Sequence, residues 1–149
     1  MKVFIGADHR GFELKNKLVD WLKTNGYEAE DCGAFSLDPH DDYPDFAEIV
    51  GENVSSNKDS RGILICRSGV GVDIVANKNL NIRCGLGFNA EQIRKTRNDD
   101  NINVLALAAD FTDTETAREL VKVFLQTDYQ QTENHQRRIE KIKKLEGGV

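Results

Sequence analysis

Short unbroken apolar runs alternate along the chain with stretches whose apolar residues recur every three or four positions, the signatures of buried strands and amphipathic helices. Val3-Phe4-Ile5 is the first run. Leu14, Leu18, Trp21 and Leu22 then mark one face of a helix, which Asn25-Gly26 closes. A second strand is predicted around residues 27–31, and beyond a polar loop with proline a helix carries Phe46, Ile49, Val50 and Val54. Gly62-Ile63-Leu64-Ile65 forms a third strand ending at Cys66, followed by a glycine turn and a helix-like stretch to Lys78. Further strands are predicted at 82–87 and 103–107, with a helix near 90–97 between them. Ala117, Leu120, Val121, Phe124 and Leu125 mark another helix; Ile139, Ile142 and Leu145 mark a last, highly charged one. Five strand–helix units with nearly continuous apolar strands predict an α/β fold, a parallel sheet covered on both faces. No repeat, linker or low-complexity segment interrupts them, and Glu146 to Val149 are expected to fray.

Composition narrows the class. The 149 residues fit one domain, 1–149, with room for a sizeable core. A formal charge of -5 argues against a nucleic-acid binder, which would show a basic face. The longest apolar stretch, Val104 to Ala109, is a strand's worth, too short to cross a membrane. Asp8, His9, Arg10 and Glu13 break up any leader-like apolar region near the start. Cys32, Cys66 and Cys84 are odd in number and lack CxxC spacing, which favours a reducing cytoplasm over a disulfide framework or a zinc site.

Cys66 is the strongest candidate for chemistry. In parallel α/β proteins ligands bind at the carboxyl ends of strands, where the following helix offers unpaired N–H groups. Cys66 stands at such an end, before Arg67-Ser68-Gly69-Val70-Gly71, and the field that binds anions there would favour its thiolate as base or nucleophile. The competing reading is a small apolar core filler. A dinucleotide fingerprint would need GxGxxG after the first strand, but Gly69 and Gly71 follow the third and the last glycine is absent. A cysteine phosphatase would need arginine at the far end of the loop, where Val72 and Asp73 stand. A receiver-like binding module would carry an acidic cluster after the first strand rather than Asp8-His9. Arg137, Arg138, Lys141, Lys143 and Lys144 read first as a solvated face.

Five segments together carry a family resemblance. Gly6-Ala7-Asp8-His9-Arg10-Gly11-Phe12, Asp42-Tyr43-Pro44-Asp45, the strand to Cys66 with Gly69-Val70-Gly71 and Ala76-Asn77-Lys78, Asn103-Val104-Leu105-Ala106, and His135-Gln136-Arg137-Arg138 resemble the ribose-5-phosphate isomerase type B and galactose-6-phosphate isomerase family, in order over nearly the whole chain. The resemblance implies a Rossmann-like three-layer α/β/α sandwich with five parallel strands. It also implies no cofactor and no metal, and a homodimer or dimer of dimers with its pocket shared between two chains.

Aldose–ketose interconversion moves a proton between neighbouring carbons through an enediolate, and so needs a base, donors for the oxyanion and a group that opens the sugar ring. Cys66 suits the base and the amides of Ser68, Gly69, Val70 and Gly71 the donors, with Asp73 as the competing base. By resemblance, the Ser68 hydroxyl assists transfer at the other carbon, Asp8 and His9 meet the ring oxygen and hydroxyls, and Tyr43 lines the pocket. Asp8 as a helix cap and Tyr43 as plain packing stay open. Asn98 and His135 are also implied as substrate contacts.

The chain departs from the family at its anion site. Where the family usually has His-Asn-Asp, this chain has Arg97-Asn98-Asp99, with about two extra residues before Asn103, so the ring-opening histidine is missing. Asp110 and Asn134 stand where sugar-phosphate isomerases often carry arginine, and Asp110 is expected to repel a phosphate. Arg67 replaces a common glycine beside the cysteine and offers a bidentate anchor. Either Arg67, Arg97 and Arg138 hold the phosphate, or the substrate is a different, unphosphorylated or carboxylated sugar. A non-catalytic sugar-binding relative is a further alternative, against which the intact Cys66 stands.

Overall fold

Alternate residues of a strand face opposite sides of its sheet, and in the central strands of this protein both sets are apolar, so each side must be covered. The computed structural model describes residues 1–147. Its elements are β1 (Lys2–Ala7), α1 (Phe12–Thr24), β2 (Glu28–Asp31), α2 (Tyr43–Ser56), β3 (Arg61–Cys66), α3 (Val70–Ala76), β4 (Cys84–Leu86), α4 (Ala90–Asp100), β5 (Val104–Ala108), α5 (Thr114–Gln126) and α6 (Glu133–Glu146). Every strand pairing is parallel, in the order β2-β1-β3-β5-β4. The predicted five-stranded α/β/α sandwich is what forms. Of the segment expected to fray, Glu146 ends α6, Gly147 follows it, and Gly148 and Val149 lie outside the described residues.

Two cores result. Val3, Ile5, Ile63, Ile65, Leu105 and Leu107 point to one face, under α1, α4 and α5. Phe4, Leu64, Cys66, Val104 and Ala106 point to the other, under α2 and α3. Leu120, Val121 and Phe124 of α5 are essentially unexposed, each contributing roughly 1.5–3 kcal/mol of burial. α6 packs on α4 and buries Ile139.

Local chemistry sets the ends. α1 stops at Asn25 because Gly26 takes φ +82, and α5 starts where Asp113 accepts the Thr116 N–H at 2.8 Å. Pro44 sits in the first turn of α2, where its missing N–H costs nothing. The strand predicted at 82–87 shrinks to Cys84–Leu86 because the Asn103 side chain takes the Arg83 N–H, at 2.8 Å. Lys15 is fully buried, holding Asp31 and the Ala34 carbonyl at 2.7 Å and so fixing the loop beyond β2.

The chain leaving β1 turns towards the α1 face, and the chain leaving β3 turns towards the α3 face. β1 and β3 are neighbours, so their outgoing loops part and open a crevice at their carboxyl ends.

Candidate active site

The crevice is built from the ends of β1, β3 and β5. Cys66 closes β3, is 4% exposed and pairs in register with Ala108. Ala7 pairs with Ile65, which sets Asp8 beside Cys66 on the adjacent strand. Gly11 brings the turn after β1 against β3: a Cβ there would meet the Ile65 carbonyl oxygen at 2.7 Å. Gly69 holds φ +72, and a Cβ on it would collide with Leu86 and Leu107. The chain thereby turns sharply enough to start α3 at Val70, directly after the strand that Cys66 ends. Ser68 is exposed, and its hydroxyl lies 3.4 Å from the Val70 nitrogen. The Tyr43 ring rests on Gly71, whose missing side chain leaves it room.

Asp8 does two things. Its Oδ1 accepts the Arg10 and Gly11 N–H groups at 3.0 and 3.2 Å, the capping turn that the sequence left open. Its other oxygen is free of that turn, in a side chain almost wholly buried. His9 is fixed by Asp41, a residue sequence reasoning missed: Oδ1 lies 2.6 Å from Nδ1 and accepts the His9 backbone N–H at 2.9 Å. Imidazole Nε2 is therefore the nitrogen left to meet a ligand. Asp8, His9 and Asp41 bring one potential metal-ligand atom each within 4.8 Å of the others. Hydrogen bonds within the trio and to the turn already account for Asp8 Oδ1, Asp41 Oδ1 and Nδ1. The only hint in the sequence was the acidic run before Tyr43.

Asp110, expected to repel a phosphate, is itself paired with arginine. Arg10 Nη2 donates to both oxygens of Asp110, at 3.0 and 2.7 Å, and Arg67 Nε lies 3.7 Å from Oδ2. The Asp110 N–H also donates to the Arg67 carbonyl at 3.2 Å, which locks the two residues side by side. Among these three side chains the guanidiniums outnumber the carboxylate two to one. Arg10 was passed over because it lay inside the first glycine turn.

Asp73, the competing base, already has partners. Burial raises its pKa, while Asn77 Nδ2, at 3.0 Å, and the Cys84 thiol donate to its carboxylate. Burial also raises the pKa of two thiols: Cys84 is pushed well above its ordinary value and Cys32 to about 11.

The remaining predicted residues lie elsewhere in the chain. Arg97, expected to touch substrate, is 2% exposed and serves as an internal bracket. It donates from Nε to the Thr127 carbonyl and from Nη1 to Asn101 Oδ1 and the Ile102 carbonyl. Burial lowers its pKa to about 10. The Asn98 carbonyl accepts the Gln130 N–H at 3.1 Å. His135 Nδ1 lies 2.7 Å from the Gln130 carbonyl and Nε2 lies 3.5 Å from Asp99, with Arg138 exposed close by on the same helix. These groups sit where α4 ends and β5 begins, at the opposite edge of the sheet from Cys66. The length of β3 alone puts roughly 16 Å between the two edges.

A family model described as ribose/galactose isomerase matches residues 3–142. Ribose-5-phosphate isomerase B of Mycobacterium leprae is 35% identical over 146 residues, 98% of this chain and 90% of that protein. The crystal structure of ribose-5-phosphate isomerase B from Mycoplasma genitalium with bound ribulose-5-phosphate superposes with a TM-score of 0.95 at 38% identity, covering 99% of this chain and 97% of the other. The Clostridium thermocellum ribose-5-phosphate isomerase B structure gives 0.94 at 38% identity, with 99% of both chains covered. With the match running from β1 into α6, the chain belongs to the ribose/galactose isomerase family.

Proposed function

We propose that this protein interconverts an aldose phosphate and its ketose, ribose 5-phosphate and ribulose 5-phosphate, with Cys66 as the base. The carrying observation is the placement of Cys66 at the β1/β3 crevice between Asp8 and the glycine turn that starts α3. Cys66 takes the proton from the carbon beside the carbonyl, the amides of Ser68 to Gly71 hold the enediolate oxygens, and the proton returns to the neighbouring carbon. The oxidation of one carbon balances the reduction of the other, so the reaction closes without a redox cofactor. Ser68 serves the second transfer. His9, oriented by Asp41, takes the ring-opening role left vacant where Arg97 replaces the family's histidine. Arg10 and Arg67 make the rim cationic, which favours a phosphate over a neutral sugar.

Asn98, His135 and Arg138 serve a partner's pocket in this reading. A two-fold pair in which each chain's Cys66 edge meets the other's α4–α6 edge yields two equivalent sites. Phe35, Phe88 and Phe111, exposed at 78%, 67% and 82% on loops at the carboxyl edge of the sheet, suit burial by a second copy. Light scattering at micromolar concentration is expected to give at least a dimer; an active monomer would sink this part. Three free thiols suit a reducing cytoplasm, and no helix among the described residues is long and apolar enough to cross a membrane.

The test is turnover of a panel of aldoses and aldose phosphates followed by NMR, with Cys66→Ala alongside. A positioned base contributes about 10²–10⁴ in rate, so the variant should fold and lose turnover. Normal turnover in Cys66→Ala, with activity lost in Asp73→Asn, would move the role to Asp73.

A further inference from the structure

At the amino edge of the sheet, away from Cys66, a second cationic group is assembled. Lys58, Arg61, Arg83 and Arg97 line one cleft of about 500 Å³, where the lining carboxylates are Asp59 and Asp128. Among the described residues the ion pairs engage other cations, so none of these four has a carboxylate oxygen within 4.0 Å. The arginines bond to neutral oxygens instead: Arg61 Nη1 to the Ser60 carbonyl, Arg83 Nε to the Asp100 and Asn101 carbonyls, and Arg97 as described. Two buried polar atoms without a partner, Arg61 Nε and Tyr129 Oη, belong to residues of this same cleft.

Such a cluster is costly as it stands. Burial lowers the pKa of all three arginines; next in weight, Arg83 lowers that of Arg61, and Arg61 lowers that of Arg97. Asp59 and Asp128 oppose this for Arg61, and Glu146, Tyr129 and Asp100 oppose it for Arg83, without closing on either as ion pairs. Buried donors and charges left unpaired are destabilising unless something satisfies them. What would do so is a small multiply charged acceptor with several oxygens and no donor requirement, because guanidinium groups match such oxyanions bidentately and a phenol adds one further donor.

We propose that this cleft binds a phosphate-class oxyanion, free or as the phosphoryl group of a small metabolite, through Arg61, Arg83 and the Tyr129 hydroxyl, with Lys58 and Arg97 supplying charge. Within one chain the cleft lies at the opposite end of β3 from Cys66, and the KM arm of the test separates it from the partner's pocket that the neighbouring α4–α6 residues are proposed to serve. It stands on its own residues and does not require the isomerase reading.

Calorimetric titration of the purified full chain with inorganic phosphate tests it. Wild type should show this binding beside any at the Cys66 crevice, and Arg67→Gly, which weakens only the crevice, should keep the event that belongs to this cleft. Arg61→Gln should weaken binding about ten- to a hundredfold, the scale of one charge-assisted hydrogen bond. Lys58→Gln, at an exposed loop position that does not affect folding, should weaken it by less. Saturating phosphate should raise the melting temperature of wild type more than that of Arg61→Gln, while the KM for ribose 5-phosphate stays unchanged in Arg61→Gln. Absence of phosphate binding would overturn the proposal, as would binding lost in Arg67→Gly and kept in Arg61→Gln. A KM that rises in step with the lost phosphate affinity would also overturn it, by making the cleft part of the substrate site. None of these phosphate measurements depends on turnover, so a failed isomerase assay leaves the outcome readable.

Discussion

Replacing Gly71 with alanine probes whether Tyr43 and the turn after Cys66 form one wall of the pocket. A Cβ at position 71 would lie 2.7, 2.8 and 3.0 Å from Cζ, Cε2 and Cε1 of the Tyr43 ring. Carbon atoms settle at about 3.5–4.0 Å, so ring and turn must part by roughly 0.7–1 Å. Overpacking of this kind costs about 1–3 kcal/mol. Tyr43 is 39% exposed and can swing outward, which places the expected cost at the low end, about 1 kcal/mol. For a chain of this size that is a melting shift of roughly 2–4 °C. Catalysis is the more sensitive readout, because a displacement of about 1 Å can cost about 10²-fold in rate. Urea unfolding and ribose 5-phosphate turnover should be measured on Gly71→Ala, Tyr43→Ala and the double variant. With the ring gone the added methyl has nothing to strike, so the double variant should be more stable than additivity predicts, by about 1 kcal/mol. Additive stabilities within about 0.5 kcal/mol would refute the contact. Unchanged kcat/KM in Gly71→Ala would remove this wall from the site.

Arg67→Gly should raise the KM for ribose 5-phosphate about ten- to a hundredfold and barely move that for ribose; equal effects on both sugars would leave Arg67 a structural role. Arg97→Ala should destabilise the fold by about 3 kcal/mol, since it strands the Thr127 and Ile102 carbonyls; full stability with a raised KM would return Arg97 to the substrate. The raised folded-state pKa of Cys32, caused chiefly by burial and then by Glu30, means its contribution is intact below about pH 8.5 and is lost as pH climbs through about 11. The loss is at most about 3 kcal/mol, and Cys32→Ala should flatten the alkaline fall of the urea midpoint; an unchanged slope would show that other groups govern it.

The sheet was legible because β5 is apolar throughout and β1 and β3 are apolar after their first residues, Lys2 and Arg61, a pattern that parallel strands share and that short helices rarely show. Boundaries were legible where the backbone itself is constrained, as at Gly26 and Pro44. They slipped where side chains set them: Asn103 closes the start of β4, and Asn101, with φ 49, lets α4 run on to Asp100. Cys66 and the glycine turn were readable for the same local reason, since strand, glycine and helix follow one another without a gap. Asp41 was not, because its partner His9 is 32 residues away and no local pattern marks the pair. Arg97 was read as a substrate contact because a charged residue near a helix end reads as surface, whereas oxygens of the nearby Asn101 and Ile102 and of the distant Thr127 allow it to be buried.

Asp110 shows how far a charge argument can mislead when one position is weighed alone. An acid in place of a cation beside a phosphate site is repulsive taken by itself. Folding, however, brings the ends of β1, β3 and β5 together, and each outgoing loop contributes one charge: Arg10 from the first, Arg67 from the second, Asp110 from the third. Without Asp110, two like charges would face each other at the rim and each would be driven outward. With Asp110 between them, Arg10 is gripped at both carboxylate oxygens and Arg67 is held nearby, with one positive charge in surplus. In the proposed reaction the acid would therefore act on the substrate through the arginines it positions, so the charge at this rim depends on all three loops rather than on the one residue that differs from the family.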